Sequence, residues 1–331
     1  MELETIAAPT ASELLARMSG RHIVVIGDVM IDEWIWGSVS RISPEAPVPV
    51  VAVRDHSFTL GGAGNVASNL RALGANVTFV GAVGDDAAAN RVRALFAEND
   101  VDARGLVVLA GRPTTRKTRI VAQNQQVVRA DWEATAPLDD AARAAAVAHV
   151  VAAIRGADAV VLSDYAKGFF SREIVAAALG APLVIADPKP GNLDLFAGVS
   201  CIAPNVAEAA RATGIAIVDG PSLERAGRAL LERLGCRYVI VTRGEHGMSL
   251  FGRDGERADI PSVARTVFDV SGAGDTVVAV LTLALAARIP IERAMQLANF
   301  AAGAVVEKLG TATATPAEII ALLEHDAAGR A

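Results

Sequence analysis

The sequence predicts an α/β fold: a mostly parallel sheet covered by helices on both faces, with a smaller β excursion above it. Two observations carry this. Short runs rich in Val, Ile and Ala alternate with helix-period segments through most of the 331 residues. Strands buried on both faces and joined by crossover helices read this way. Hydrophobic residues make up 52 % of the chain and aromatic residues only 4 %, so a large core is available and it is aliphatic.

Strands are expected at 22–26, 76–80, 159–162, 183–186, 200–203 and 238–242, and helices at 64–73, 85–98, 139–154, 171–179, 205–213 and 221–234. Two segments break the rhythm. Residues 34–54 hold Pro44, Pro47 and Pro49 together with Val48, Val50, Val51 and Val53, and residues 114–131 hold two β-like pieces around Asn124-Gln125. Both read as antiparallel strands that leave the main sheet, and inserted strands near a site can form a lid. The expected organisation is an N-terminal extension with a helix at 1–20, one large domain at 21–325 with its β lid from 29–54 and 112–131, and a tail at 326–331.

The net charge is −6 and no basic run stands out, which argues against a nucleic-acid partner. Cys201 and Cys236 lie among apolar residues, as buried thiols of a reducing compartment do. The histidines show no metal-ligand spacing. Glu2 and Glu4 open a chain with no long apolar N-terminal stretch, so no secretory signal is expected. The apolar run after Asp275 stops at Arg288 and is too short to span a bilayer. A cytoplasmic protein with no membrane partner is expected.

The strongest chemical signal is Asp269-Val270-Ser271-Gly272-Ala273-Gly274-Asp275-Thr276. It reads as a glycine turn opening a buried helix with a carboxylate in its first turn. Helix-start N–H groups attract anions, and an acid beside them would repel one. The pairing makes sense where the acid takes a proton while the amides hold developing negative charge, as phosphoryl transfer requires. The alternative is that Asp275 is a helix cap.

Gly61-Gly62-Ala63-Gly64-Asn65-Val66-Ala67 formally matches a dinucleotide fingerprint, but Arg54-Asp55-His56-Ser57 before it make a poor buried strand, against the βαβ context that reading needs. A turn that lets a polar ligand approach the backbone fits better, with Asn65 free to bind hydroxyls. Asp28 and Asp32, just past the first strand, offer two carboxylates to sugar hydroxyls, or a turn cap. Asn205-Val206-Ala207-Glu208 is a capping box, or a pair that orders water around magnesium. Thr242-Arg243-Gly244, Asp187-Pro188-Lys189 and Ser163 through Gly168 end other strands, where such sheets place ligands; Lys189 could meet phosphates there.

Gly61-Gly62-Ala63-Gly64-Asn65 with Gly74 and Gly84, the stretch from Asp269 to Asp275, and Asn205-x-x-Glu208 between them resemble the signatures of the ribokinase-like (PfkB) carbohydrate kinases. Val280 stands where that family usually has a small residue. Within the family, Ser40-Arg41-Ile42-Ser43-Pro44-Glu45-Ala46-Pro47, Ser163-Asp164-Tyr165-Ala166-Lys167-Gly168 and Lys308-Leu309-Gly310-Thr311 resemble the branch that phosphorylates a heptose 7-phosphate for lipopolysaccharide, in its form without a fused nucleotidyltransferase. The resemblance implies a three-layer α/β/α sandwich with a small lid and a homodimer through that lid. It also implies ATP as co-substrate, Mg²⁺, and K⁺ near Asp269. Asp275 is then the base, with Gly272, Ala273 and Gly274 holding the transferring phosphoryl group. Asp28, Asp32, Gly61, Gly62 and Asn65 hold the sugar. Arg41, Arg116, Lys117, Arg119 and Lys167 are candidates for its phosphate. Asn205, Glu208, Lys189, Thr242, Gly244 and Asn299 line the nucleotide site, the first two through magnesium. Another kinase of the family, or a non-catalytic sensor on the same fold, are the competing readings.

Overall fold

A computed structural model describes residues 5–123, 125–264 and 267–330; Glu2, Glu4 and Asn124 lie outside them. The chain opens with α1 (Ala8–Met18), which buries Ala11, Leu14, Leu15 and Met18. It continues with β1 (His22–Gly27), β2 (Val29–Ile42), β3 (Pro49–Gly62), α2 (Ala63–Ala72), β4 (Asn76–Gly84), α3 (Ala87–Glu98), β5 (Asp102–Leu109), β6 (Arg116–Ala122), β7 (Gln125–Trp132) and α4 (Asp140–Ala153). The second half runs β8 (Ala159–Ser163), α5 (Arg172–Ala178), β9 (Val184–Asp187), β10 (Cys201–Ile202), α6 (Val206–Thr213), α7 (Gly220–Leu234), β11 (Tyr238–Thr242), β12 (Met248–Gly252), β13 (Arg257–Ile260), α8 (Ala273–Ala286), α9 (Ile291–Val306) and α10 (Pro316–Arg330).

The main sheet has nine strands in the order β13-β12-β11-β10-β9-β8-β1-β4-β5. It is parallel from β11 to β5, and β12 and β13 add an antiparallel edge. Alternate residues of β1 show why its aliphatic run is continuous. Ile23 and Val25 pack into the core shared with α1, α2, α8 and α9, whereas Val24 and Ile26 pack into the core shared with α4, α5 and α7. Each such side chain, fully buried, contributes about 1.5–3 kcal/mol. The helices start where the sequence offers caps: Asp86, Asp139, Ser171, Asn205 and Asp219 each accept a hydrogen bond from the first turn of the helix that follows. Cys201 and Cys236 are buried and unpaired, and burial raises both thiols, Cys236 to about 11.

The excursion is a four-stranded sheet in the order β3-β2-β6-β7. Its two hairpins are antiparallel as expected, but the seam between them, β2 against β6, is parallel. β3 also runs past residue 54 to Gly62, so Arg54 through Ser57 do form a strand, one in the lid where its side chains stay exposed or half-buried. Sequence pattern had not separated β5, β12, β13 or α9 from their surroundings. α10 continues unbroken past 326 to Arg330.

Candidate active site

Helix α8 begins on Gly272, whose φ of +81° is the left-handed region that glycine tolerates. A Cβ there would lie 2.6 Å from Asn65 Nδ2, so both the backbone turn and the close approach of Asn65 require glycine. The N–H of Ala273 donates to the Val270 carbonyl at 3.3 Å, and the helix makes its first regular bond from Thr276 to Gly272 at 3.0 Å. The N–H groups of Gly274 and Asp275 precede that bond and are orphan donors of the helix start. A Cβ on Gly274 would meet nothing within 4 Å, so the space beside this residue of the turn is open.

Asp275 lies beside this opening and is only 4 % exposed. Its Oδ1 accepts from the Tyr165 hydroxyl at 2.6 Å and its Oδ2 from Asn65 Nδ2 at 2.8 Å. Burial raises its pKa to about 6; the two hydrogen bonds and the Lys189 ammonium hold it down from higher still, and Asp32 pushes it up. A carboxyl poised near neutrality can accept a proton and release it.

Helix α2 positions Asn65 and is bonded to α8 a turn further on. Asn69 Nδ2 donates to the Asn65 carbonyl at 3.0 Å, and Thr276 Oγ1 donates to Asn69 Oδ1 at 2.9 Å. The turn into α2 needs glycine at Gly62, with φ +58° and a Cβ position against the Asp28 carbonyl. At Gly61 a Cβ would collide with the Asp32 carboxylate, so that carboxylate rests on bare backbone. Asp32 pairs with Arg119 at 2.5 Å.

The segment after β8 supplies the next wall. Asp28 Oδ2 accepts from the N–H groups of Tyr165 at 2.9 Å and Lys167 at 3.1 Å, and burial raises its pKa to about 6 despite these donors. Asp164 accepts from the N–H groups of Ala166 and Lys189 and from Asn192 Nδ2. After β9, Lys189 Nζ lies 2.7 Å from Glu208 Oε1, 3.9 Å from Asp187 Oδ2 and 5.1 Å from the centre of the Tyr165 ring. Asp187 is buried and raised to about 7 by that burial. Burial pushes Lys189 down, but Asp187 and Glu208 outweigh it and the net shift is upward. Asn205 and Glu208 do make the capping box, and the other Glu208 oxygen turns to Lys189. Asn205 also bridges to Thr242 of β11, Gly244 follows with φ +57°, and Asn299 on α9 is tied to the Pro261 carbonyl at 2.8 Å.

Strand alternation sorts the five candidate cations. Lys117 and Arg119 share one face of β6 with Asp32 and Trp34 of β2, the face that meets the Gly310-Thr311 loop through Trp34 and Thr59. Lys117 pairs with Asp131 at 3.1 Å, and Lys167 pairs with Glu133 at 2.6 Å. Arg116 falls on the opposite face, over the Trp132 ring and near Glu33. Arg41 lies roughly 30 Å beyond Asp32 along β2, exposed at the lid tip. These two do not converge on Asp275 within one chain.

No group of three or more His, Cys, Asp or Glu among the described residues could hold a metal ion. Magnesium keeps several waters and is often held through one or two carboxylates and substrate phosphates, so a site as sparse as Glu208 with Asn205 fits an ion that arrives with a nucleotide. Asp269 spends its oxygens on the N–H groups of Ser271 and Gly310 at 2.9 and 3.0 Å. Sequence reasoning missed the roles of Tyr165, Asn69 and Thr276. Tyr165 lay in a noted strand-end turn, but only folding shows that its hydroxyl reaches a residue 110 positions away.

An acid near neutral pKa, open helix-start donors and a rim of cations can together deprotonate a hydroxyl and hold a phosphoryl group. The comparisons agree with that chemistry. The profile of the pfkB family carbohydrate kinases matches residues 21–318. The bifunctional protein HldE of Trichlorobacter lovleyi is 44 % identical over 319 residues, 94 % of this chain and 65 % of that protein. The bifunctional protein HldE of Azorhizobium caulinodans is 46 % identical over 321 residues, 95 % of this chain and 67 % of that protein. The chain thus spans about two thirds of the length of these relatives. Among solved structures, Arabidopsis thaliana ribokinase complexed with ribose and ATP aligns with a TM-score of 0.71 at 21 % identity, over 92 % of this chain and 99 % of that one. Escherichia coli phosphofructokinase-2 in complex with potassium gives 0.77 at 17 % identity, again over 92 % and 99 %. These two show the ribokinase-like fold, with the four-stranded sheet as its lid, and the family match shows the activity class: the chain belongs to the pfkB family of carbohydrate kinases and is a sugar kinase.

Proposed function

We propose that the enzyme transfers the γ-phosphoryl group of ATP to O1 of D-glycero-β-D-manno-heptose 7-phosphate, giving the 1,7-bisphosphate. The observation that carries this reading is Asp275, buried, doubly hydrogen-bonded and raised to about 6, beside the orphan donors of α8. The acceptor oxygen attacks the γ-phosphorus, its proton passes to the Asp275 carboxylate, and the bond to the β-phosphate oxygen breaks with the electron pair leaving on ADP. The transition state is loose, so much of the role of Asp275 is to orient the hydroxyl. In the turn Gly272-Ala273-Gly274 the orphan N–H groups of Gly274 and Asp275 hold the transferring group, joined by the Ala273 N–H when it leaves the Val270 carbonyl. Asp28, Asp32, Gly61, Gly62 and Asn65 shape the sugar site, in which Asn65 acts through Asp275 and Asp28 through the turn it caps.

The acceptor's own phosphate is assigned to Lys117 and Arg119, which share a face with Asp32, and to Lys167, which meets Lys117 at Glu133. Each is now paired with a carboxylate that an incoming phosphate can replace. Thr242, Gly244 and Asn299 line the nucleotide site. Lys189 neutralises its phosphates, and Glu208 with Asn205 would hold a magnesium ion through its waters, an ion that would supply charge neutralisation along the phosphates. Potassium near Asp269 would sit behind the same helix start. Two copies pair through their lids, whose outer strands leave unpaired edges and whose Val53, Val128 and Ile42 are 61, 48 and 59 % exposed. No described helix is long and apolar enough to cross a membrane; a cytoplasmic location is part of the proposed reading.

ADP release measured with ATP against a panel of heptose 7-phosphate, fructose 1-phosphate, fructose 6-phosphate, ribose and adenosine tests the assignment. The heptose phosphate should give the highest kcat/KM by at least about tenfold, the discrimination that a pocket built around one polar group readily achieves. A higher value for any other member rejects it.

A further inference from the structure

The shorter of the two hydrogen bonds at the base comes from a residue to which the proposed reaction gives no role. Tyr165 is held on every side. Its backbone N–H is bonded to Asp28 at 2.9 Å, and the next residue but one, Lys167, is bonded to the same carboxylate oxygen. Ala166 between them has φ +54°, a left-handed conformation costly for alanine, and its N–H is fixed by Asp164 at 2.7 Å. The Tyr165 ring lies under the Lys189 ammonium, and Lys189 is itself fixed by Asp164 and Glu208. The hydroxyl that results from this framing points at Asp275 Oδ1 from 2.6 Å. The phenol is raised well above its ordinary 10 by burial and by Asp275 and Asp187, so it is always the donor and the carboxylate always the acceptor.

We propose that Tyr165 is a positioning residue for phosphoryl transfer: with Asn65 it fixes the plane of the Asp275 carboxylate and leaves that group's remaining lone pairs to the acceptor hydroxyl. An ionised carboxylate offers about four acceptor positions. Tyr165 takes one on Oδ1 and Asn65 takes one on Oδ2, so the group is anchored at both oxygens and still has room for a third donor. Lys167, two residues on, faces the substrate's phosphate in the reading above, so the same clamped turn ties that cation to the alignment of the base. The proposal rests on that reading for the identity of the base but not for the identity of the sugar.

The charged groups facing Asp275 are Asp32 from β2 with its partner Arg119 from β6, Asp187 and Lys189 from the end of β9, and Glu208 from α6 behind Lys189. None of them changes in Tyr165→Phe, which removes one hydroxyl donor that favours the ionised acid. The experiment is a ¹³C carboxyl titration of Asp-labelled protein without substrates, with the Asp275 signal assigned by its loss in Asp275→Asn. Wild type should titrate near 6, and Tyr165→Phe about one pH unit higher, the scale of one hydrogen bond to a charged group. The acid limb of kcat should move by the same amount while KM for ATP stays put. The chain has two tyrosines, so 3-fluorotyrosine incorporated in a Tyr238→Phe background places a stronger donor at 165 alone, and there the midpoint should move down. Unchanged midpoints in both variants, or an activity loss uniform across pH, overturn the proposal. Because the titration needs no acceptor, a wrong sugar assignment leaves it intact and shows only in kcat.

Discussion

At the scale of single residues, the site is built from groups held against their solution preferences. Asp275 titrates near 6 in the fold against 3.8 as a free side chain. A raised carboxyl favours the folded state when protonated. Its contribution to stability is therefore whole below about 3.8 and lost as the pH rises through about 6. Two outcomes follow. The kcat of the wild type should rise with pH along a limb centred near 6, as the base ionises. Asp275→Asn, which cannot ionise, should be more stable than wild type by on the order of 1–3 kcal/mol at pH 8, and that advantage should shrink toward pH 4; calorimetry at the two pH values reads it directly. An equal melting temperature at pH 8 would mean that the carboxylate is solvated. The sequence named Asp275 because a carboxylate beside a glycine helix start is chemically odd. It placed Tyr165 in a strand-end turn but not against Asp275, since no local pattern encodes a hydrogen bond between the end of β8 and the start of α8.

At the scale of elements, the first turn of α8 and the two faces of β6 decide what the site can hold. Gly272 and Gly274 are both small but for different reasons. Gly272→Ala forces a positive φ and a contact with Asn65 Nδ2, and should cost about 1–3 kcal/mol and most of the activity. Gly274→Ala meets nothing and should leave stability unchanged or raise it by up to about 1 kcal/mol, yet lower kcat by placing a methyl where the phosphoryl group must lie. Thermal denaturation beside kinetics separates the two; equal stabilities would show that the turn is not fixed by Asn65. On β6, charge reversal at Lys117 or Arg119 should raise KM for the phosphorylated sugar at least tenfold, while Arg116→Glu, on the other face, should leave it within about twofold. Equal effects at 116 and 119 would contradict the assignment. The family resemblance leaves all five cations equal candidates. The distinction needs the register of β6 against β2, which depends on a parallel seam between distant hairpins.

At the scale of the whole molecule, most of the layered fold was legible, because strands buried on both faces leave unbroken aliphatic runs and helices announce their starts with caps. Among the parts that escaped are strands whose environment is mixed: β5 and β13 at the two edges of the main sheet, and β3, whose exposed or half-buried residues from Arg54 to Ser57 hide a strand that has no core to face. The same exposure motivates the dimer. Wild type should sediment at twice the 34.2 kDa chain mass, and Val53→Asp with Val128→Asp should give monomers; a monomeric wild type would contradict pairing through the lids. The most direct measurement of the central claim is ³¹P NMR of the reaction of ATP with heptose 7-phosphate, run with wild type and with Asp275→Asn. Wild type should convert the monophosphate to a bisphosphate whose new signal couples to the anomeric proton, and the variant should be slower by a factor on the order of 10²–10⁴ with ATP still bound. A new phosphate on any other oxygen, or a variant rate within about tenfold of wild type, would contradict the account.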